Sequence, residues 1–143
     1  MLPDFVRQAT RLGIPSSITT NGTAPFDRYR DLIANGLSEL RISIDSHREK
    51  DFDATVGVPG TFRKVRENIR RLIELKRSGG KRFFVILNAC VGAFNLDEVR
   101  STMRGLMGFA PDDIKLLAVA EEASSVSARA RLDSVKVLMV SDG

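Results

Sequence analysis

Three apolar stretches of the sequence end, or break, in side chains that hydrogen-bond. ITTNG (18–22) closes on Thr19, Thr20, Asn21 and Gly22, RISID (41–45) closes on Ser43 and Asp45, and FFVILNACV (83–91) is interrupted by Asn88. Hydroxyls, amides and one carboxylate in such places suit a polar small molecule with ribose or amino-acid groups. They do not suit nucleophilic or acid–base catalysis. The only histidine, His47, lies in a polar segment and is expected to be solvated, so no nucleophile–base pair is legible. Asp51 and Asp53 read as isolated, and nothing makes Asp45 and Asp97 face each other. Neither GxGxxG nor GxxxxGK[ST] occurs, so no glycine-rich phosphate loop is present. Cys90 is the single cysteine, which excludes an intramolecular disulfide, a zinc site of several cysteines and a cysteine-held iron–sulfur cluster within this chain. It reads as a small buried hydrophobe in or after a strand.

The elements that must hold these groups alternate. Leu2, Phe5, Val6, Ala9 and Leu12 recur at helical spacing, with Pro3 in the first turn and Gly13 as a stop, which predicts a helix over 3–12. Ile- and Thr-rich 16–20 predicts a strand. A second helix is expected over 25–35, with Phe26, Tyr29, Leu32 and Ile33 as its stripe and Gly36 at its end. A strand over 39–44 precedes a long loop, 46–60. A third helix, 61–77, has Thr61 as its expected N-cap and Phe62, Val65, Ile69, Leu72 and Ile73 as its buried stripe. The most apolar strand covers 82–88. A fourth helix, 96–107, and a strand at 114–119 complete the order αβαβαβαβ. That alternation implies right-handed βαβ units around a parallel sheet. The tail, 120–143, has weak periodicity, with VKVLMV (135–140) as a possible last strand.

Period-two alternation then assigns faces. It groups Ser17, Thr19 and Asn21. It sets Arg41, Ser43 and Asp45 opposite Leu40, Ile42 and Ile44, and Phe84, Ile86 and Asn88 opposite Val85 and Leu87. If the apolar alternates meet the helices, the polar ones face the concave side at the carboxyl edge, where α/β folds place their sites. Taken singly, each group has an ordinary use. Asn21–Gly22 is a common turn pair, Asp45 can cap the following loop, and Asn88 can satisfy a buried backbone group. Three neighbouring strands together favour a ligand site.

The 143 residues fit one domain able to bury a core. With 43% hydrophobic and 28% charged residues, the composition is that of a globular protein. No apolar run approaches the ~20 residues of a membrane span, and MLPDFVRQ lacks the regions of a signal peptide, so the cytoplasm is the expected location. Much of the +4 charge lies in 63–82, where nine basic residues face Glu67 and Glu74. This reads as a solvated helix face. Without interleaved aromatics it makes a weak case for nucleic acid.

TTNG (19–22), SID (43–45), VGVPGTF (56–62) and LNACVGAFNLDEV (87–99) together resemble, in order and spacing, the middle and later parts of radical S-adenosylmethionine (radical SAM) domains. The resemblance covers about residues 1–119. It implies an incomplete, open (β/α) barrel with a parallel sheet, a partial TIM-like barrel, with 120–143 as a separate tail. It implies that Thr19 or Thr20, Ser43 and Asn88 contact the ribose and methionyl parts of S-adenosylmethionine, and that Asn21, Gly22 and Asp45 shape the pocket. Some relatives carry a basic residue near the position of Ile86, a contact missing here. Also missing are the CxxxCxxC motif that holds the family's 4Fe-4S cluster and the strand that holds the cofactor's amino group. The expectation is a fragment of a radical SAM enzyme, inactive alone, its first two βα units lost or supplied by a missing N-terminal half or partner chain. Its TTNG strand would be an open sheet edge, through which a homo-oligomer can form. The alternative is a cluster-free binding or scaffold module that keeps the pocket. A basic nucleic-acid-binding domain ranks third.

Overall fold

The computed structural model describes residues 1–79, 82–92 and 95–119. The expected tail, 120–143, and its possible strand lie outside the described residues. The order is α1 (Leu2–Arg11), β1 (Ser17–Thr20), α2 (Phe26–Ala34), β2 (Glu39–Ser43), α3 (Glu49–Val56), α4 (Thr61–Arg77), β3 (Phe84–Val91), α5 (Val99–Met107) and β4 (Asp113–Ala118), with a 3₁₀ turn, Leu96–Glu98, leading into α5. The four strands form one sheet in the order β1-β2-β3-β4, and every pairing is parallel. This is an α/β fold, consistent with a partial open barrel. Each successive strand joins the edge of the last after a helical crossover, as parallel pairing requires.

The core forms where the apolar alternates of the strands meet the helical stripes. Leu40, Ile42, Ile44, Val85 and Leu87 are fully buried. They join Tyr29, Leu32 and Ile33 of α2, and Val65, Ile69 and Leu72 of α4, in one cluster. Such packing supplies most of the stability of an amphipathic helix. Among the described residues β1 has no neighbour on its outer side. The helix α1 buries Val6 and Ala9 but leaves Leu2 and Phe5 exposed, as is Leu12 at its end. No described helix is long and apolar enough to cross a membrane.

The stretch 46–60 is not a loop throughout, because α3 occupies its middle. Glu49 and Asp51 lie in its first turn, where acidic groups favour the helix dipole. Its one buried side chain, Phe52, meets Phe62 with ring centroids 5.7 Å apart. Gly57, at φ 77°, ends it in the left-handed conformation that glycine adopts without strain. Thr61 is not the N-cap of α4. Gly60 holds that position, and Thr61 donates its hydroxyl to the Val58 carbonyl at 2.7 Å. Asp53 caps α4 from outside, its carboxylate accepting the N–H of Gly60 at 2.6 Å and of Phe62 at 2.8 Å. These are two of the orphan donors that every helix start exposes. His47 is half-buried rather than solvated. It lies so close to Gly105 of α5 that a Cβ there would meet its ring at 2.3 Å.

On α4 several basic groups find partners within the chain. Arg63 pairs with Glu49 at 2.7 Å, Arg70 with Glu67 and Glu74, and Lys76 with Asp112, while Arg71 lies 3.8 Å over the Phe26 ring.

Candidate functional site

The described helices pack on one face of the sheet, and no described helix packs on the other, the open face, where Ile86 and Asn88 are nonetheless buried. Ile18, Leu40, Ile42, Val85, Leu87, Ile114 and Leu116 pack into the helix-side core. The alternates between them form rows across the open face. One row is Thr19, Arg41, Ile86 and Asp113, and the next is Ser43, Asn88 and Lys115. Toward the amino ends of the strands Glu39 accepts the Ser17 hydroxyl at 2.9 Å and pairs with Arg41. Burial raises the Glu39 pKa. The hydrogen bonds from Arg41 and Ser17, with the charges of Arg41 and Lys115, outweigh it and hold the carboxyl below its usual range.

The seven residues singled out from sequence do not share one role. Thr19 is exposed and lies on the open-face alternation of β1. Thr20 belongs to the helix side, where its hydroxyl lies 3.2 Å from the Tyr29 hydroxyl and accepts the Gly22 N–H at 3.2 Å. Asn21 closes the turn, its Oδ1 accepting the Thr23 N–H at 3.1 Å and the Thr23 hydroxyl at 2.8 Å. Gly22 is buried at φ 76°, with its carbonyl accepting Asn68 Nδ2 at 2.7 Å. Asp45 accepts the Cys90 N–H at 2.7 Å, tying the end of β2 to β3. Asn95 holds the Cys90 carbonyl from the other side at 2.8 Å.

Ser43 and Asn88 differ from these. They are in register, and among the described residues neither side-chain oxygen has a hydrogen-bond partner. Asn88 is 7% exposed, and its Oδ1 is buried with no donor. An unmade hydrogen bond to a buried group costs about 1–3 kcal/mol. Such a buried acceptor is suited to an N–H or O–H donor. A surface cavity of about 360 Å³, lined by Met103, Met107, Pro111 and Asp113 among others, opens at the other end of β4 and does not include Asn88. The row has a hydrogen-bonding logic that the mainly apolar cavity lacks.

Lys115 completes the row and was not among the residues singled out from sequence. The signal was available: in IKLLAV it is the only charged residue, alternating with Ile114 and Leu116. Cys90 lies two residues beyond Asn88 on the same alternation. Burial pushes its thiol pKa up, and the charge of Asp45 and its hydrogen bond push the same way. At neutral pH the thiol is therefore protonated and slow. Alkylation of Cys90 by iodoacetamide at pH 7.5 is expected to run several-fold slower than that of free cysteine. Asp45→Asn, which keeps an acceptor for the Cys90 N–H but removes the charge, is expected to speed it. An unchanged rate in that variant would show that Asp45 does not act on the thiol.

The fit to an iron–sulfur cluster fails on residue content. One cysteine cannot hold one, and no three metal-ligating side chains come together among the described residues.

No sequence-family model and no curated protein sequence matches this chain. Solved structures do. A structure of TYW1 with a lysine-pyruvate adduct bound superposes with a TM-score of 0.63 at 12% identity, covering 88% of this chain and 39% of that one. The radical S-adenosylmethionine methyltransferase TsrM from Kitasatospora setae, with cobalamin and a [4Fe-4S] cluster bound, superposes with a TM-score of 0.55 at 16% identity, covering 82% of this chain and 22% of that one. At these identities the likeness is one of fold alone. This chain spans well under half the length of either neighbour.

Proposed function

We propose that this chain is part of a radical SAM enzyme whose open sheet face forms one wall of an S-adenosylmethionine pocket. The carrying observation is the row of unpartnered polar side chains, Ser43 and the buried Asn88, at the carboxyl half of a parallel sheet. Thr19 stands on the same face one row toward the amino end. Hydroxyl and amide groups there suit ribose hydroxyls and the methionyl amine. Asn21, Gly22 and Asp45 take the supporting part. They set the turn after β1 and the end of β2, and do not reach for the ligand. The 4Fe-4S cluster and its cysteines belong to a part not contained in these residues, so the isolated chain is expected to carry out no radical chemistry. The side of β1 left unpaired among the described residues and the exposed apolar residues of α1 support further βα units, or a partner chain, continuing the sheet there.

The alternative, a cluster-free binding module, draws on the single cysteine and makes the same demand on the pocket. Calorimetric titration of the chain with S-adenosylmethionine tests both. Binding supports the pocket; a folded chain with no affinity sinks it. Binding together with CxxxCxxC encoded in frame upstream favours the enzyme. Binding without such a segment, on this chain or a partner, favours the module.

Asn88→Leu separates a ligand role from a structural one. It removes a buried acceptor without a donor, so the folded protein is expected to gain about 1 kcal/mol. It also removes the ligand's partner, so affinity is expected to fall at least about tenfold. A loss of stability in urea melts would mean that Asn88 supports the fold.

A further inference from the structure

We propose that the outer face of α4 and α5 is a docking surface for the phosphate backbone of a nucleic-acid duplex. It is independent of the open sheet face and stands whether or not that face holds a cofactor. As sequence, 63–82 is an ordinary solvated helix face. The structure adds the partners of its charges and a second basic helix beside it. α4 carries seven basic and two acidic residues, an excess of five against +4 for the whole chain. α5 carries Arg100 and Arg104 and no acid. The two helices make consecutive crossovers, β2 to β3 and β3 to β4, on the same side of the sheet, where Leu72 and Leu106 share one core cluster. They therefore lie side by side, at about the 10 Å of packed helices.

The acids around this face are already matched. Arg70 holds both Glu67 and Glu74, Arg63 pairs with Glu49, Lys76 with Asp112, and Arg48 with Glu98. The hydrogen bond from Arg70, and then the charges of Arg70, Arg71 and Arg66, outweigh burial and hold the Glu67 carboxyl below its usual range. Left over are Lys64, Arg66, Arg71, Arg77, Arg100 and Arg104. All six are exposed, and among the described residues none makes an ion pair or a hydrogen bond through its side chain. Arg71 lies over the Phe26 ring, which holds its guanidinium at the surface. The first turn of α4 contains Arg63 and Lys64 and no acid, although the helix dipole favours negative charge there. A cluster that opposes the fold's own electrostatics suits an anion from outside.

Lys64 and Arg77 are about 20 Å apart along α4, and a duplex presents one phosphate charge per about 1.7 Å of its axis. Five of the six cations are arginines, whose forks hold phosphate oxygens two at a time. Other polyanions fit worse. α4 exposes no large apolar residue, and α5 only Met107 at its end. An acidic protein or a membrane needs such anchors, and single strands need exposed aromatic rings to stack on. A duplex backbone needs neither.

The test measures the fluorescence anisotropy of labelled duplexes of about 20 base pairs, one of DNA and one of RNA, with the 143-residue chain at about 50 to 200 mM salt. The DNA duplex is expected to bind with a log–log salt slope of about −4 to −5, since each phosphate contact contributes about −0.9. The tighter of the two duplexes identifies the nucleic acid. Arg66→Gln with Arg77→Gln, checked for native circular dichroism, is expected to weaken binding about tenfold at the lower salt and to flatten the slope by about two. Arg7→Gln with Arg30→Gln removes the same charge from the paired arginines of α1 and α2. It should leave affinity within about twofold and the slope unchanged. Polyglutamate is the competitor. If it binds as tightly as the duplexes at equal charge, the partner is an acidic protein and the proposal fails. No binding of either duplex at the lower salt, or equal losses in the two double variants, also overturns it.

Discussion

Replacing Gly22 by alanine is expected to lower stability by about 2–4 kcal/mol, the sum of a backbone cost and a packing cost. Gly22 follows Asn21 in the turn at the end of β1 and has φ 76°. A side chain in that conformation costs about 1 kcal/mol or more. A Cβ there would come within 2.9 Å of Ile42 Cγ2 and 3.0 Å of Val65 Cγ1. Both neighbours are fully buried, one on the sheet and one on α4, so neither can swing into solvent. Gly57 provides the control. Its φ is 77°, and nothing lies within 4 Å of a Cβ built on it. Gly57→Ala should therefore show the backbone cost alone, about 1 kcal/mol. Urea denaturation of the two variants reads the difference. Equal losses would mean that the approach of the turn to α4 carries no energetic weight. A larger loss at Gly22 would show that ITTNG ends in Asn-Gly because the chain must turn against a helix at close range.

What was legible in the sequence follows how local each signal is. The strands and their faces came from alternation within a few residues, so Leu40, Ile42, Val85 and Leu87 were placed correctly. The helix at 61–77 came from a stripe of five apolar residues, all of them buried. α3 escaped because eight residues with one buried side chain carry no periodic pattern. Its role is to bring Asp53 to the start of α4, and that partnership spans seven to nine residues across the break between the two helices. The surroundings of His47 depend on Gly105, which no sequence pattern joins to it. The site divides in the same way. Alternation put Ser43 and Asn88 on one face, but only the register between strands shows that they pair and that Lys115 completes the row. Thr20 was grouped with the site by its place at a strand end. The alternation that lifts Thr19 to the open face turns Thr20 toward Tyr29.

Asn68 is expected to show the other large effect. It lies in the middle of α4, is 5% exposed, and would pass for a polar interruption of an apolar stripe. Its Nδ2 donates to the Gly22 carbonyl at 2.7 Å and the Ala24 carbonyl at 2.9 Å, so one amide satisfies both sides of the turn after β1. Asn68→Ala leaves those carbonyls without that donor and is expected to cost about 2–4 kcal/mol. Asn68→Asp keeps the shape but replaces the donor by oxygen, and adds a pH dependence whose sign is fixed. A carboxylate aimed at two carbonyl oxygens in a buried place is destabilised in its charged form, so its folded pKa lies above the unfolded value of about 3.9. The folded state then binds the proton more tightly than the unfolded one. The deficit relative to the native chain should be smaller near pH 4 and grow as pH rises through the unfolded and folded values. Urea melts of Asn68→Asp and the native chain at pH 4.5 and pH 7.5 measure this. A deficit independent of pH would mean that the turn relaxes away from the introduced carboxyl. A deficit that grows with pH would show that α4 holds the ITTNG turn through this one side chain.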